Sequence, residues 1–378
     1  MKATKILFFA LPAIVTAGCT VTQLPQPSLR ADLMNQPGLV KAYFLFPDAP
    51  FESCHASTIA ETKDYFVSAF FGGTGEGNKD VGIWLCRIKK GTDNRSVPVQ
   101  VADGIQYESV PSGDVKRWPC WNPVLYQAKP GPLLLFYKVG PNPDTWWGML
   151  KTSNDQGKTW SQARRLPEDI TGPVRAKPAL LDDGTLMCGS STEDKGWRVH
   201  MECTKDLGKT WSRTDVLNDG KDFPAIQPTI LRRPNGMLQI LCRSDGNIRQ
   251  AWSADAGKTW TPLTKSILPN PNAGIDAVRL RDGRHLLVYN HSTGDTGGRS
   301  KLNVSVTEDG EHWKAALKLE DGQTIEGKHA YGAYPAAILG SDGLVHITYT
   351  WKRDFINYVV IDPDKLVLRD MPDGNWPD

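Results

Sequence analysis

The sequence predicts an all-β chain, a six-bladed β-propeller of four-stranded antiparallel sheets, and three observations carry that prediction. An eight-residue phrase returns as Ser153-Asn154-Asp155-Gln156-Gly157-Lys158-Thr159-Trp160, then from Thr204 to Trp211, then from Ser253 to Trp260. A shorter copy runs from Thr307 through Asp309 and Gly310 to Trp313. The copies stand roughly fifty residues apart, the scale of propeller blades. The composition agrees: 35 Gly, 27 Pro and 13 Trp in 378 residues, with few stretches of helical period, suit strands joined by turns.

Each element follows in order. Lys2 and Lys5 precede an apolar run from Ile6 to Val15, too short to span a bilayer and typical of an export signal over residues 1–18. Thr16-Ala17-Gly18-Cys19 resembles a bacterial lipoprotein box with Cys19 as the lipidated residue. That implies a periplasmic or cell-surface protein, anchored through Cys19, with residues 19–38 as a polar tether. Residues 39–378 are expected to form the propeller.

A second signal recurs upstream of each Trp-ended phrase. Lys177-Pro178-Ala179 leads to a turn at Asp183-Gly184, and Gln227-Pro228-Thr229 to one at Asn235-Gly236. Asp276-Ala277-Val278 leads to Asp282-Gly283, and Tyr334-Pro335-Ala336 to Asp342-Gly343. Such turns join antiparallel neighbours. Two earlier openings fit more loosely, at His55-Ala56-Ser57 and Trp121-Asn122-Pro123. Six openings mean six blades. Leu39 to Phe46 and Ile347 to Ile361 are the expected closing strands, which would leave no open edge.

In the repeated phrase, Asp accepts backbone N–H bonds, Gly supplies the unusual dihedral and Trp packs into a seam. These phrases are structural and lie away from the mouth of a ring. Lys plus Arg (44) nearly balance Asp plus Glu (42), with no basic run, so neither nucleic acid nor an anionic membrane surface is a predicted partner. Six cysteines follow Cys19: Cys54, Cys86, Cys120, Cys188, Cys203 and Cys242. They form no CxxC pair, so they read as small buried side chains, with pairing left open and no metal or other cofactor indicated.

A propeller gathers one residue per blade at its mouth. The openings offer His55, Asn122, Lys177, Gln227, Asp276 and Tyr334, with Arg243 and Arg299 nearby. Trp121, Trp146, Trp147, Trp197 and Trp351 offer flat faces for sugars, or else seam packing. A basic, aromatic mouth suits an acidic oligo- or polysaccharide.

The phrase Ser/Thr-x-Asp-x-Gly-x-Thr-Trp resembles the Asp-box, or BNR repeat, of the sialidase-like β-propellers, from about residue 39 to residue 362. That resemblance implies a glycosidase on a terminal acidic sugar, sialic or uronic. Three arginines would grip its carboxylate, a Tyr paired with a Glu would be the nucleophile, and an acid would sit in the first blade's loop. Arg243 and Arg299 match two of the arginines and Tyr334 the nucleophile, while Glu76 and Asp80 are the acids that the loop offers. Two positions depart: His55 stands where the family opens with Arg, and Gln227, which cannot take a proton, stands near the place of the Glu.

Three functions remain in view. Hydrolysis would use Tyr334 or water against the anomeric carbon, with Glu76 or Asp80 as acid. β-Elimination on a uronate would use His55 and Tyr334 as acid and base, with the arginines neutralising the carboxylate. A glycan-binding lipoprotein without catalysis is the third.

Overall fold

A computed structural model describes residues 24–106, 116–322, 324–325, 328–329 and 331–377. The export segment and Cys19 lie outside them. Six antiparallel sheets, each with four blade strands, stand around one axis, and within blades 1 to 4 each strand pairs with its sequence neighbour. Blade 1 comprises Ser53–Glu61, Tyr65–Gly73, Gly82–Lys89 and Val99–Ala102. Blade 2 comprises Cys120–Gln127, Leu133–Val139, Trp147–Ser153 and Arg164–Arg165. Blade 3 begins with the two-residue strand Ala179–Leu180 and continues through Leu186–Thr192, Arg198–Thr204 and Ser212–Arg213. Blade 4 runs from Ile226–Arg232 to Thr264–Pro271, and blade 5 from Asp276–Arg279 to Trp313–Asp321, with Arg369–Asp370 added outside.

Blade 6 closes the ring. Its three strands Gly332–Leu339, Val345–Trp351 and Phe355–Ile361 take Leu39–Phe44 as the fourth, with Leu39 opposite Ile361 and Phe44 opposite Asn357. The described part of the expected tether is docked, not free. Arg30 is buried, with Nη1 3.0 Å from Glu320 Oε1, and Leu33 packs into the seam between blades 5 and 6. An apolar side chain and a paired charge hold this stretch against the ring.

The core is six seams. Val67 and Ala69 of blade 1 meet Leu125 and Leu133 of blade 2. Val124 and Leu134 meet Leu150 and Leu186 across the next. Comparable clusters fill the other four. The Asp-boxes staple these seams from outside: Asp155 Oδ1 accepts from Thr159 N at 2.8 Å and Oδ2 from Thr159 Oγ1 at 2.6 Å. Ser153 Oγ takes Gly157 N at 2.8 Å, and Trp160 packs against the seam between blades 1 and 2.

What matters for the mouth is a kink in the innermost strand of four blades. The register shifts there, and one residue adopts a left-handed backbone: Ala56 (φ 58°), Asn122 (26°), Gln227 (55°) and Tyr334 (54°). The residue that follows is Ser57, Pro123, Pro228 or Pro335. Non-glycine residues hold this region at a cost of about 1–3 kcal/mol, which the surrounding sheet must offset. A bulge re-aims a side chain. Here it brings Tyr334 and Gln227 to a common partner.

Candidate functional site

Tyr334 is the centre. Its side chain is buried, and its hydroxyl accepts from Arg243 Nη1 at 2.5 Å. Arg243 ends the second strand of blade 4, where Nη1 also reaches Gln227 Oε1 at 3.2 Å and Nε donates to Asn272 Oδ1 at 2.8 Å. Arg299 comes from a short helical turn, Gly298–Ser300, ahead of the third strand of blade 5. It donates to Tyr331 Oη (3.2 Å) and to Asn272 O (2.7 Å). The guanidinium carbons of Arg243, Arg299 and Arg175 lie 5.5, 5.4 and 5.2 Å from the Tyr334 ring centre.

Arg175 is the residue that the sequence reading missed. It is among the largest fully buried side chains, one Nη donating to Pro335 O at 2.5 Å while Nε and the other Nη have no partner. Burial lowers its pKa to about 10. A buried cation with unpartnered donors favours negative charge beside it. The cue lay two residues ahead of Lys177: blade 3 has no left-handed kink in its short first strand, so the chain turns Arg175 to the mouth.

Lys177 and Asp276 form a closed pair near it. Lys177 Nζ stands 3.0 and 3.1 Å from the two carboxylate oxygens of Asp276, which also accept from Thr229 Oγ1 (3.0 Å) and Ala337 N (2.9 Å). One buried carboxylate thus joins blades 3, 4, 5 and 6 at the axis.

His55 faces Tyr334, ring centres 4.2 Å apart, with Nδ1 3.0 Å from Thr350 Oγ1. Its Nε2 is buried without a partner. Burial first, then Arg353, Arg299, Arg175 and Arg243, hold its pKa well below the usual imidazole value, so the ring is neutral. The Tyr334 phenol moves the other way from a buried tyrosine. Burial raises it, but Arg243, Arg299 and Arg175 outweigh burial and the opposing charge of Glu76, leaving it below the ordinary value.

The two expected acids differ. Glu76 Oε2 holds Arg353 Nη1 at 2.5 Å, and its charge reaches Tyr334. Asp80 is engaged in its own loop: burial raises its pKa, but acceptance from Thr74 N (2.7 Å) and Thr74 Oγ1 (2.9 Å), with the nearby charge of Arg117, outweighs burial and leaves it below the ordinary value. Asn122 is buried at its bulge. Arg353 escaped notice because it reads as a surface turn. Lys352 and Arg353 are both left-handed (φ 50° and 62°) in the hairpin of blade 6, and this turn aims Arg353 at Glu76.

The tryptophans divide. Trp197 lies under Arg243 (5.7 Å), and Trp121 meets Phe71 and Trp146. Trp147 is covered by Arg165, and Trp351 packs with Phe44 in the last seam. The six cysteines among the described residues are free thiols, and all but Cys203 are buried. Among the described residues, no group of three His, Cys, Asp or Glu side chains could hold a metal ion.

Residues 64–347 match the family described as the BNR repeat-like domain. The chain belongs to that family. This BNR repeat-like protein is 26% identical over 183 residues to a sialidase of Bacteroides fragilis (strain YCH46), a match covering 43% of this chain and 32% of that one. It therefore spans about a third of that relative's length. Solved structures share its sialidase-like fold. A protein of unknown function from Dyadobacter fermentans DSM 18053 gives a TM-score of 0.69 at 17% identity, over 89% of this chain and 100% of that one. The Hadza microbial sialidase Hz136 gives 0.68 at 16%, over 86% and 69%. The intramolecular trans-sialidase of Ruminococcus gnavus, in complex with oseltamivir carboxylate, gives 0.61 at 13%, over 86% and 97%. At these identities the likeness speaks to the fold alone.

Proposed function

We propose that this BNR repeat-like protein is an exo-acting glycosidase on a terminal acidic sugar of a glycan. The observation that carries the reading is the convergence of Arg175, Arg243 and Arg299 on one tyrosine. Charge-assisted bonds from guanidinium to carboxylate are worth about 1.5–3 kcal/mol each, enough to make an anionic sugar the preferred occupant.

Tyr334 lacks a carboxylate base, since Gln227 occupies that place. Its activation comes instead from the guanidiniums, which stabilise phenolate. When a substrate carboxylate takes up part of that positive charge, the phenolate becomes a stronger nucleophile. The Tyr334 oxygen then bonds to the anomeric carbon as the glycosidic C–O bond breaks, and the leaving oxygen takes a proton from Glu76, which must first part from Arg353 and pick up that proton from water. Water later releases the sugar. Asp80, occupied within its loop, is the less suited acid. We read residues 1–18 as an export signal and Cys19 as a lipid attachment point, so the enzyme would meet glycans at the cell surface or in the periplasm.

A second reading is favoured by one observation: the unpartnered Nε2 of a neutral His55 beside Tyr334. On a uronate, the arginines neutralise the carboxylate and His55 removes the adjacent C–H proton. The electron pair forms a C=C bond, and the leaving oxygen takes a proton from Tyr334. Incubation with sialosides and uronic-acid oligosaccharides, followed by mass detection, decides between them. Hydrolysis adds water and gives a new reducing end, whereas elimination gives near-ultraviolet absorbance without added water. Absence of any turnover lost on Arg243→Ala would leave only the non-catalytic glycan binder.

A further inference from the structure

We propose that this protein stands on its membrane with the mouth turned away from the lipid, because the chain docks on the opposite face of the ring within a few residues of Cys19. The partner is the bilayer that anchors Cys19, so the orientation rests on the reading of that residue as a lipid attachment point.

The order of strands defines the two faces. Glu76 lies between the second and third strands of blade 1, Arg299 between those of blade 5 and Arg353 between those of blade 6. Connections of that kind form the mouth. Connections between third and fourth strands turn at the other end of the blade, the lower face, and the Asp-boxes that start at Ser153 and Ser253 are among them. In blade 1 that connection joins Gly82–Lys89 to Val99–Ala102 and carries Asn94 and Arg95. The described chain starts against it. Leu24 N donates to Arg95 O at 3.0 Å, Arg95 Nη1 to Pro25 O at 2.8 Å, and Gln26 Nε2 to Asn94 Oδ1 at 3.2 Å. Leu24 also packs against the apolar seam between blades 6 and 1.

This contact belongs to a strap. Arg95 is itself buried, and its Nε donates to Leu45 O at 2.8 Å. Further along, Arg30 N donates to Ala42 O at 2.7 Å, its side chain pairs with Glu320, and Gln36 and Lys318 exchange two bonds of 2.8 Å. Blades 1, 5 and 6 thus hold residues 24–36. The free chain shrinks to the steps from Cys19 to Leu24, which span at most about 18 Å. The blade is deeper than that reach. Nine extended residues, Tyr65–Gly73, separate the faces of blade 1, a rise of about 30 Å. A ring held at its lower face can lean onto its side, but it cannot bring Tyr334 and the guanidiniums down onto the same bilayer. The glycans it serves are then those that arrive from the far side, not headgroups beside the anchor. No basic patch is required, which agrees with the near-balance of 44 basic and 42 acidic residues.

The test uses protein purified from membranes and reconstituted in phosphatidylcholine vesicles with an acceptor dye on their headgroups. The donor is a fluorescent amino acid in place of Lys63, on the lower face of blade 1, or of Lys79, in its mouth loop. Both side chains are exposed. With about 30 Å between the two heights, energy transfer from position 63 should exceed that from position 79 about threefold or more. A Gly/Ser spacer of about thirty residues between Thr22 and Gln23, its ends about 30 Å apart, should bring the two signals together. The mass of the N-terminal peptide shows whether Cys19 carries lipid. With lipid present, equal transfer or stronger transfer from position 79 overturns the orientation and leaves the anchor standing. A difference that the spacer does not reduce overturns the short reach as its cause. A peptide without lipid, on protein that does not join vesicles, removes the anchor and the orientation with it.

Discussion

Arg243 Nη1 donates to two acceptors at once, the Tyr334 hydroxyl at 2.5 Å and Gln227 Oε1 at 3.2 Å. Both acceptors stand at left-handed bulges, one in blade 4 and one in blade 6, so one guanidinium reads two backbone kinks. The glutamine can hold this arginine but cannot deprotonate the phenol. The state of Tyr334 therefore depends on how much positive charge surrounds it.

This dependence is measurable. In the free protein, one tyrosine should ionise below the usual range in tyrosinate-absorbance titrations, and Tyr334→Phe should remove that step. Arg243→Met deletes a cation and should move the step upward. Tyr334→Phe should also cut turnover about a hundredfold or more. Near-normal turnover would take Tyr334 out of the chemistry.

Arg175 gives a second expectation. With two of its nitrogens unpartnered, its contribution should appear when a carboxylate binds. Arg175→Met should weaken inhibition by an acidic sugar by about ten- to a hundredfold, matching one or two charge-assisted bonds, with Arg175→Lys intermediate. Wild-type affinity should also decline as salt is raised. Equal affinities for a sugar acid and its uncharged methyl ester would exclude the grip.

Stability should fall on the acid side. His55 is held well below the ordinary imidazole value, and His285 at about 3, in each case chiefly by burial and then by neighbouring guanidiniums. The unfolded chain takes up these protons near pH ~6.5, and the folded chain refuses them. The stability is therefore complete above that pH and is lost progressively as pH falls toward the folded values. Urea midpoints should drop between pH 7 and pH 4.5, and His285→Asn should flatten the slope. A slope that the substitution leaves alone would show that His285 is not part of the linkage.

The Asp-boxes should prove structural. Asp155 accepts from Ser153, Lys158 and Thr159, bonds that outweigh burial and hold its pKa at about 2. Asp155→Ala should cost about 1–3 kcal/mol of stability, from backbone donors left without an acceptor. KM should not change. A changed KM with unchanged stability would reverse this assignment.

The blades were legible because their signals are local. A turn at Asp183-Gly184 or an Asp-box at Asp206 depends on residues within one hairpin, and periodicity multiplies the signal. Tyr334, Arg243 and Arg299 could be placed because each stands at a fixed offset from such a box. Arg175 could not, because blade 3 lacks the kink that sets the register in its neighbours. Lys177 and Asp276 show the other limit. A strand opening gives a residue's place along the blade but not its partners, and these two neutralise each other. Arg353 needed a left-handed turn that no Gly or Asn announces.

Fastening the outermost strand of blade 6 from Leu39–Phe44 has a temporal consequence. The partner segment, Phe355–Ile361, is made more than three hundred residues later. Blades 1 to 5 must therefore wait during synthesis with one flank unlatched. The mouth assembles last, because Tyr334 and Arg353 belong to the same late blade as the latch. A nascent chain should accordingly gain its cluster of guanidiniums around Tyr334 and its lasting resistance to proteolysis together, as the final sheet arrives.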